Sequence, residues 1–198
     1  MLPLWLKLGY TAFVAVIIAV YWVKYGPGNF LWFSDIALIG TVPALWLEQP
    51  LLASMMALAV VLPEVLWNAG FFLQLLIGRR VTGLTDYMFD KTLPRYLRAL
   101  SLFHVFLPVL LVWMVARLGY DRRALIAESA LAWIVLPLTY WLTKPDANIN
   151  WVRGFGGPMT RTRLPPLLYL ALLMLGFPLL VYWPTHLVLA SLFGRASP

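Results

Sequence analysis

The sequence has no cysteine and only two histidines, and charged residues make up just 12% of its 198 positions. Without cysteine the chain cannot form a disulfide, a thiolate nucleophile or a thiolate-bound metal site. The charged share is about half of that in an average soluble domain, whereas 62% of the residues are hydrophobic. A soluble domain of this length leaves too much surface in water to hide so many apolar side chains. The composition therefore predicts an integral membrane protein.

Acidic residues are also scarce. Eight Asp and Glu residues stand against 15 Lys and Arg residues, and the formal net charge is +7. Because most basic residues lie between the apolar segments, we interpret them as topology signals and contacts for anionic lipids, and not as a nucleic-acid surface. We expect membrane lipids and no nucleic acid as partners. A protein partner or a second copy of the chain stays open.

The two histidines do not form a metal-binding pattern. His104 and His186 lie in different apolar segments and at different depths, and a zinc site usually has three or four protein ligands. A bis-histidine haem would need both imidazoles on one iron. The sequence therefore predicts no metal and identifies no cofactor, although a single axial histidine to a pigment in a larger assembly stays open.

Six segments are apolar and close to the length of about 20 residues that crosses a bilayer. Each of the last five contains an interior proline, which removes a helical donor and kinks a helix. No internal repeat is visible. We predict an all-α fold, a single domain over residues 1–198 that forms a proline-kinked bundle of about six transmembrane helices. The segments are 4–23, 29–46, 51–77, 97–120, 124–142 and 166–193.

The loops predict an orientation. Ten of the 15 basic residues lie in the loops after the first, third and fifth segments, so the positive-inside rule places these loops in the cytoplasm and both termini outside. We expect the membrane to be a bacterial cytoplasmic membrane. Lys7 interrupts the first apolar run and no small-residue cleavage site follows, so we expect no cleavable signal peptide. The ten residues are Lys24, Arg79, Arg80, Lys91, Arg95, Arg98, Lys144, Arg153, Arg161 and Arg163.

Polar residues inside the predicted spans indicate a site. Asp35, Asn68 and His104 fall at a similar depth, about two turns from the cytoplasmic boundary, and Glu64 lies one turn deeper. Ionisable groups are costly at such depth and mark functional sites. A carboxylate and an imidazole that converge there would suit general acid/base catalysis. We predict His104, Asp35 and Glu64 as the catalytic residues.

Asn68, Trp67, Ser101 and Arg153 are predicted to bind substrate. Trp67 lies between Glu64 and Asn68 in the sequence. For Asn68 and Ser101 the alternative is a hydrogen bond that holds two helices together. For Asp35 the alternative is a carboxylate at a helix start that reaches the aqueous face.

Three other regions carry local predictions. Residues 85–91 form a short interfacial helix that Thr85 caps. Residues 144–163, rich in Gly, Pro and Asn, form either an ordered turn or a mobile flap. Glu128 lies near the outer end of its helix, at the interface.

Three functions stay open. The first is a membrane-embedded enzyme that acts on a lipid or isoprenoid-like substrate from the cytoplasmic side, with His104 as acid or base. The second is a small-molecule transporter or substrate-binding subunit, which Glu64, Asn68 and Trp67 would line. The third is a non-catalytic subunit of a larger membrane complex. No named catalytic signature decides among them.

Overall fold

The structure, a computed structural model, describes residues 1–79, 83–156 and 160–194. Arg80, which entered the charge count, lies outside these ranges, as do residues 157–159 of the loop 144–163. In the described ranges every regular element is helical. The α-helices are α1 (Leu4–Tyr25), α2 (Phe33–Leu47), α3 (Pro50–Ile77), α4 (Asp86–Phe89), α5 (Arg95–Leu100), α6 (Phe103–Leu118), α7 (Ala124–Leu142), α8 (Pro166–Gly176) and α9 (Trp183–Phe193).

Five helical stretches of the described chain are long and apolar enough to cross a membrane. They are α1, α3, α5 with α6, α7, and α8 with α9. The sixth, α2, is apolar but has 15 residues, or about 22 Å of helix. The helical membrane bundle of about six helices is therefore confirmed. Large apolar side chains on its outside, such as Leu76 and Val23, suit contact with lipid, where exposed apolar surface carries no cost.

The second helix begins later than its apolar segment. Residues Pro27–Leu31 form a 3-10 turn, and Trp32 is extended before α2 starts at Phe33. The side-chain oxygen of Asn150 accepts a 3.1 Å hydrogen bond from the Phe33 N–H, one of the donors that a helix start leaves without a helical partner. A residue 117 positions away thus sets the beginning of α2.

The fourth predicted span contains a break. α5 ends at Leu100, α6 begins at Phe103, and the bonds across the junction are of the tighter 3-10 kind, for example from His104 N to the Ser101 carbonyl. The Ser101 hydroxyl also donates back to the Leu97 carbonyl, a bond that bends helices. The junction places His104 in the first turn of α6.

Helix α3 is the centre of the bundle. It packs on α2, α6 and α7, and half of its most apolar window is buried, against 28% for α1 and α7. Small buried residues in its first half, Ala53, Ser54 and Ala57, permit close approach of neighbouring helices. On α2, a Cβ at Gly40 would clash with the Met56 sulfur, so a larger residue there would require the Met56 side chain to move.

At two interior prolines, the carbonyl that loses its helical donor accepts a hydrogen bond from a side chain instead. A proline has no N–H to give to the carbonyl four residues earlier. For Pro178 that acceptor is Met174, and the indole N–H of Trp133 donates to it at 2.7 Å. A π-helical turn over Phe177–Tyr182 follows and joins α8 to α9. Pro108 leaves the His104 carbonyl in the same way.

The short helix in the loop after α3 is present, but Thr85 does not make the predicted capping hydrogen bond. Thr85 occupies the N-cap position of α4 without a capping side-chain hydrogen bond. Its hydroxyl instead donates to the Gln74 side chain of α3 at 3.3 Å. This contact ties α4 to the end of α3.

Candidate functional site

Glu64 of α3 and His104 of α6 form a direct pair. Glu64 Oε1 lies 2.7 Å from His104 Nδ1, and the two side chains are 4% and 15% exposed. The other carboxylate oxygen, Oε2, is buried and has no hydrogen-bond partner among the residues that the structure describes. Because Nδ1 is engaged, Nε2 is the ring nitrogen left to exchange a proton with a substrate. The pairing of these two predicted residues is thus a feature of the structure.

Asn68 forms hydrogen bonds to the main chain of both residues of this pair. Its Nδ2 donates to the Glu64 carbonyl at 2.8 Å and to the His104 carbonyl at 2.7 Å. The second bond replaces the helical bond that Pro108 cannot make. Asn68 is not part of the cavity wall. The structure therefore gives Asn68 a positioning contact, in line with the helix-joining alternative.

Aromatic rings fix the orientation of the imidazole. The His104 ring stacks on Trp67, with 4.8 Å between centroids, and on Phe103, with 4.1 Å. Both interplanar angles are below 30°. Trp67 is one wall of the site and stacks in turn on Phe71.

The pair faces a cavity of about 850 Å³. This volume lies in the range of small-molecule and cofactor sites. Its wall includes five of the seven predicted site residues together with parts of α1, α4 and the loops after α1 and α7. The five are Asp35, Glu64, Trp67, Ser101 and His104.

Asp35 is a second carboxyl group in the cavity wall. It lies in the first turn of α2, is 3% exposed, and accepts a 2.9 Å hydrogen bond from Asn29 at Oδ2. Its Oδ1 is buried with no partner in the described chain. It is near enough to interact electrostatically with Glu64 and His104. The structure therefore places Asp35 in the cavity wall. The alternative from the sequence was a carboxylate at the aqueous face.

Two tyrosines extend the polar side of the cavity. The Tyr21 hydroxyl lies 3.0 Å from the Ser101 hydroxyl, and Tyr87 of α4 also lines the cavity. Burial raises the pKa of Tyr87, so this hydroxyl stays protonated and can donate. Sequence reasoning missed both tyrosines because Trp and Tyr in membrane proteins mostly mark the interface. One signal was available for Tyr21, which continues a stripe at positions 7, 10, 14 and 17 of α1, all of them buried.

The loop after α7 is ordered over its described part and closes one side of the cavity. Asn150 donates to the Leu31 carbonyl at 2.7 Å and accepts from Phe33. Asn148, Asn150 and Trp151 all have positive φ angles, which asparagine tolerates and a bulky residue rarely adopts. Trp151 lies in the cavity wall. Residues 144–156 therefore form the ordered turn and not the mobile flap.

Arg153 does not line the cavity. Its guanidinium group lies 3.8 Å from the centroid of the Tyr140 ring and donates to the Tyr140 carbonyl. That carbonyl is at the end of α7, where helical donors run out. Arg153 therefore links its loop to the end of α7, and it lies away from the other predicted site residues.

Glu128 of α7 corrects an expectation of the sequence. It was expected at the membrane interface, but its side chain is fully buried. Neither carboxylate oxygen has a hydrogen-bond partner among the described residues. Tyr182 of the π-helical turn is near enough to interact with it electrostatically, and the Tyr182 hydroxyl is buried without a partner among the described residues in the same way. The burial follows from packing of α7 against α3 and this turn, which position along the helix does not reveal.

Within the described ranges, no three or more His, Cys, Asp or Glu side chains are grouped closely enough to hold a metal ion. No family model matches the chain, and no curated protein or solved structure is significantly similar to it.

Proposed function

We propose that this protein is a membrane-embedded enzyme that acts on a lipid or isoprenoid-like substrate by general acid/base catalysis. The observation that carries the proposal is the 2.7 Å contact between Glu64 and His104 in the wall of a cavity of about 850 Å³. A helix-joining contact alone would not need a cavity beside it.

The pair has the parts that proton transfer needs. Glu64 holds Nδ1, which fixes the ring and stabilises the imidazolium that forms when Nε2 accepts a proton; the carboxylate in a catalytic triad acts in the same way. Trp67 and Phe103 prevent the ring from turning away. Asp35 supplies a second carboxyl group, so that one group can accept a proton while another donates one.

The cavity suits an amphipathic molecule. Apolar and aromatic side chains such as Phe33, Val60 and Phe177 alternate in its wall with a few polar groups, the usual composition of a site for an apolar ligand.

The cytoplasmic side of a bacterial membrane is the proposed location of the cavity mouth. Residues from the loops after α1, α4 and α7 line the cavity, among them Gly28, Leu93 and Lys144. These loops belong to the set that carries ten of the 15 basic residues. The positive-inside rule supports the same side for all of them, with both termini on the other side.

Mass spectrometry of lipids tests the proposal. Lipids are extracted from cells that express the wild type, Glu64→Gln or His104→Ala, and from each purified protein. We expect a lipid species to accumulate in both variants while a second species, its product, disappears. The mass difference between the two species identifies the reaction.

Glu128→Gln is the matched control, because it makes the same exchange at an equally buried carboxyl group outside the cavity. It should leave the lipid profile of the wild type unchanged. Identical profiles in all four proteins would overturn the enzyme proposal. So would a co-purified molecule that is lost from the variants without any chemical change, which would indicate a binding or transport subunit.

A further inference from the structure

A second depression adjoins the cavity and has a different character. Its volume is about 560 Å³, and its wall is formed by residues 91–95 and Arg98. We call it the basic groove. Leu93 lines both the basic groove and the cavity, so the two spaces are neighbours.

Three cations line the basic groove: Lys91, Arg95 and Arg98. Lys91 and Arg95 are exposed and form no ion pair with any residue in the described part of the chain. Arg98 donates from Nη1 to the Met88 carbonyl at 3.1 Å, which anchors its guanidinium group. Its Nε is buried and has no hydrogen-bond partner among described residues.

One carboxylate lies nearby. Asp90 accepts hydrogen bonds from the Thr92 hydroxyl and N–H at 2.7 and 2.8 Å. These bonds hold the pKa of Asp90 below its usual value. The carboxylate is therefore ionised near neutral pH and offsets part of the Arg98 charge. Two cationic side chains remain for an anionic ligand.

The two spaces differ in charge. The cavity wall carries the carboxyl groups of Asp35 and Glu64 together with Lys144 and His104, whereas every charged side chain that lines the basic groove is a cation. An anionic headgroup is therefore attracted more strongly to the groove than to the cavity. This difference favours an amphipathic anion with its headgroup in the groove and its chain in the cavity.

Arg98 is also close to His104 along the chain. It precedes His104 by six residues across the junction of α5 and α6, and an unbroken helix of six residues would span about 9 Å. A chain that extends from a headgroup at Arg98 into the cavity therefore enters the space that His104 lines. Guanidinium groups offer paired N–H donors that match the oxygens of a phosphate.

We propose that the basic groove binds a phosphate-bearing lipid headgroup, a phosphomonoester or a diphosphate, whose hydrocarbon chain occupies the cavity. The inference rests on the proposed function only in assigning the chain to the cavity. It specifies the substrate class as an anionic phospholipid or a prenyl phosphate.

The test measures lipid binding to the purified protein in detergent micelles, with fluorescent phosphatidic acid and fluorescent phosphatidylcholine that share the same acyl chains. The wild type should bind the phosphatidic acid about tenfold more tightly. Lys91→Gln/Arg95→Gln changes two exposed side chains, so it should fold normally, and it should lose this preference.

Lys24→Gln/Arg163→Gln is the matched control. It removes two exposed cations from the same end of the bundle, outside the groove and the cavity, and should keep the preference. If the wild type shows no preference, or if the two double variants lose it equally, general surface charge explains the binding and the proposal is overturned.

Inorganic diphosphate separates a lipid headgroup from a soluble anion. It should compete with the fluorescent phosphatidic acid only weakly, because it lacks the chain that the cavity holds. Competition at the same concentration as an unlabelled phosphatidic acid would show that the groove binds a soluble phosphate, and would overturn the assignment to a lipid.

His104→Ala distinguishes failure of this inference from failure of the proposed function. The variant should keep the preference for phosphatidic acid, since it leaves the groove intact. If the preference depends on Lys91 and Arg95 but the lipid profile does not depend on His104, the headgroup site stands and the enzyme proposal fails. The reverse result rejects the headgroup site alone.

Discussion

The side-chain amide of Asn68 donates a 2.7 Å hydrogen bond to the main-chain carbonyl of His104. This carbonyl needs a donor because Pro108, four residues later, has no N–H. The Asn68 amide on α3 therefore replaces a missing main-chain hydrogen bond in α6, at His104. The proposed catalytic geometry and the stability of α6 therefore depend on the same contact.

Asn68→Ala should destabilise the protein by about 1–2 kcal/mol, because it leaves a buried carbonyl without a donor. Pro108→Ala restores a main-chain N–H to that carbonyl. In the Pro108→Ala background, the cost of Asn68→Ala should fall by at least about half. Thermal unfolding of the four proteins in one detergent measures this double-mutant cycle.

Trp133→Phe provides a comparison, since Trp133 bonds the carbonyl that Pro178 leaves free. The loss of stability from Trp133→Phe should be the same with and without Pro108→Ala, because the Trp133 contact to Met174 and the Asn68 contact to His104 involve different helices. An equal cost of Asn68→Ala with and without Pro108 would show that Asn68 acts through some other contact.

Glu64→Gln should lower turnover of the lipid substrate by about 10²–10⁴-fold. The amide keeps the shape of the side chain and can still bond Nδ1, but it does not stabilise an imidazolium. The unfolding temperature should change little. Turnover and unfolding are measured on the same preparation, so that loss of activity through misfolding is recognised.

Glu128→Met should raise the stability of the protein by about 1–3 kcal/mol. It removes a buried carboxyl group whose oxygens lack partners in the described structure, and methionine fills a similar volume. Glu64→Met is the opposite case, because it leaves His104 without its partner, and it should destabilise. The measurement is thermal unfolding near neutral pH. A loss of stability in Glu128→Met would show that Glu128 has a functional or structural partner.

The ion pair at the other end of the bundle should make stability depend on pH. Glu48 accepts hydrogen bonds from Lys7 Nζ at 2.8 Å and from the Leu2 N–H at 2.9 Å. The Lys7 contact, aided by the Leu2 bond, holds the pKa of Glu48 below its usual value. A carboxyl group whose pKa is lower in the folded state stabilises above its unfolded pKa, near 4.3, and stops doing so as the pH falls through the folded value.

Thermal unfolding of the wild type and Glu48→Gln between pH 7 and pH 3 tests this dependence. The wild type should be more stable at pH 7, and the two curves should meet toward pH 3. A difference that is constant over this range would show that hydrogen bonding alone, without charge, explains the contact.

Part of the site was predictable from the sequence. Glu64, Asn68 and His104 stand out as polar residues in apolar spans, and their depths follow from counting along helices. The same method missed Tyr21 and did not predict the burial of Glu128. Position along a span says how deep a residue lies, but not which side of the helix carries it.

Composition and the length of the apolar segments by themselves determined that this is an all-helical membrane protein, because a bilayer core admits few other structures for such a chain. Tertiary structure alone decided that Glu64 meets His104, that Arg153 turns to Tyr140 and that Glu128 is buried. The physical reason is the solvent. In a bilayer, the lipid-facing and core-facing sides of a helix are both apolar, so hydrophobic periodicity does not reveal the rotation of a helix, and only packing against its neighbours fixes that rotation.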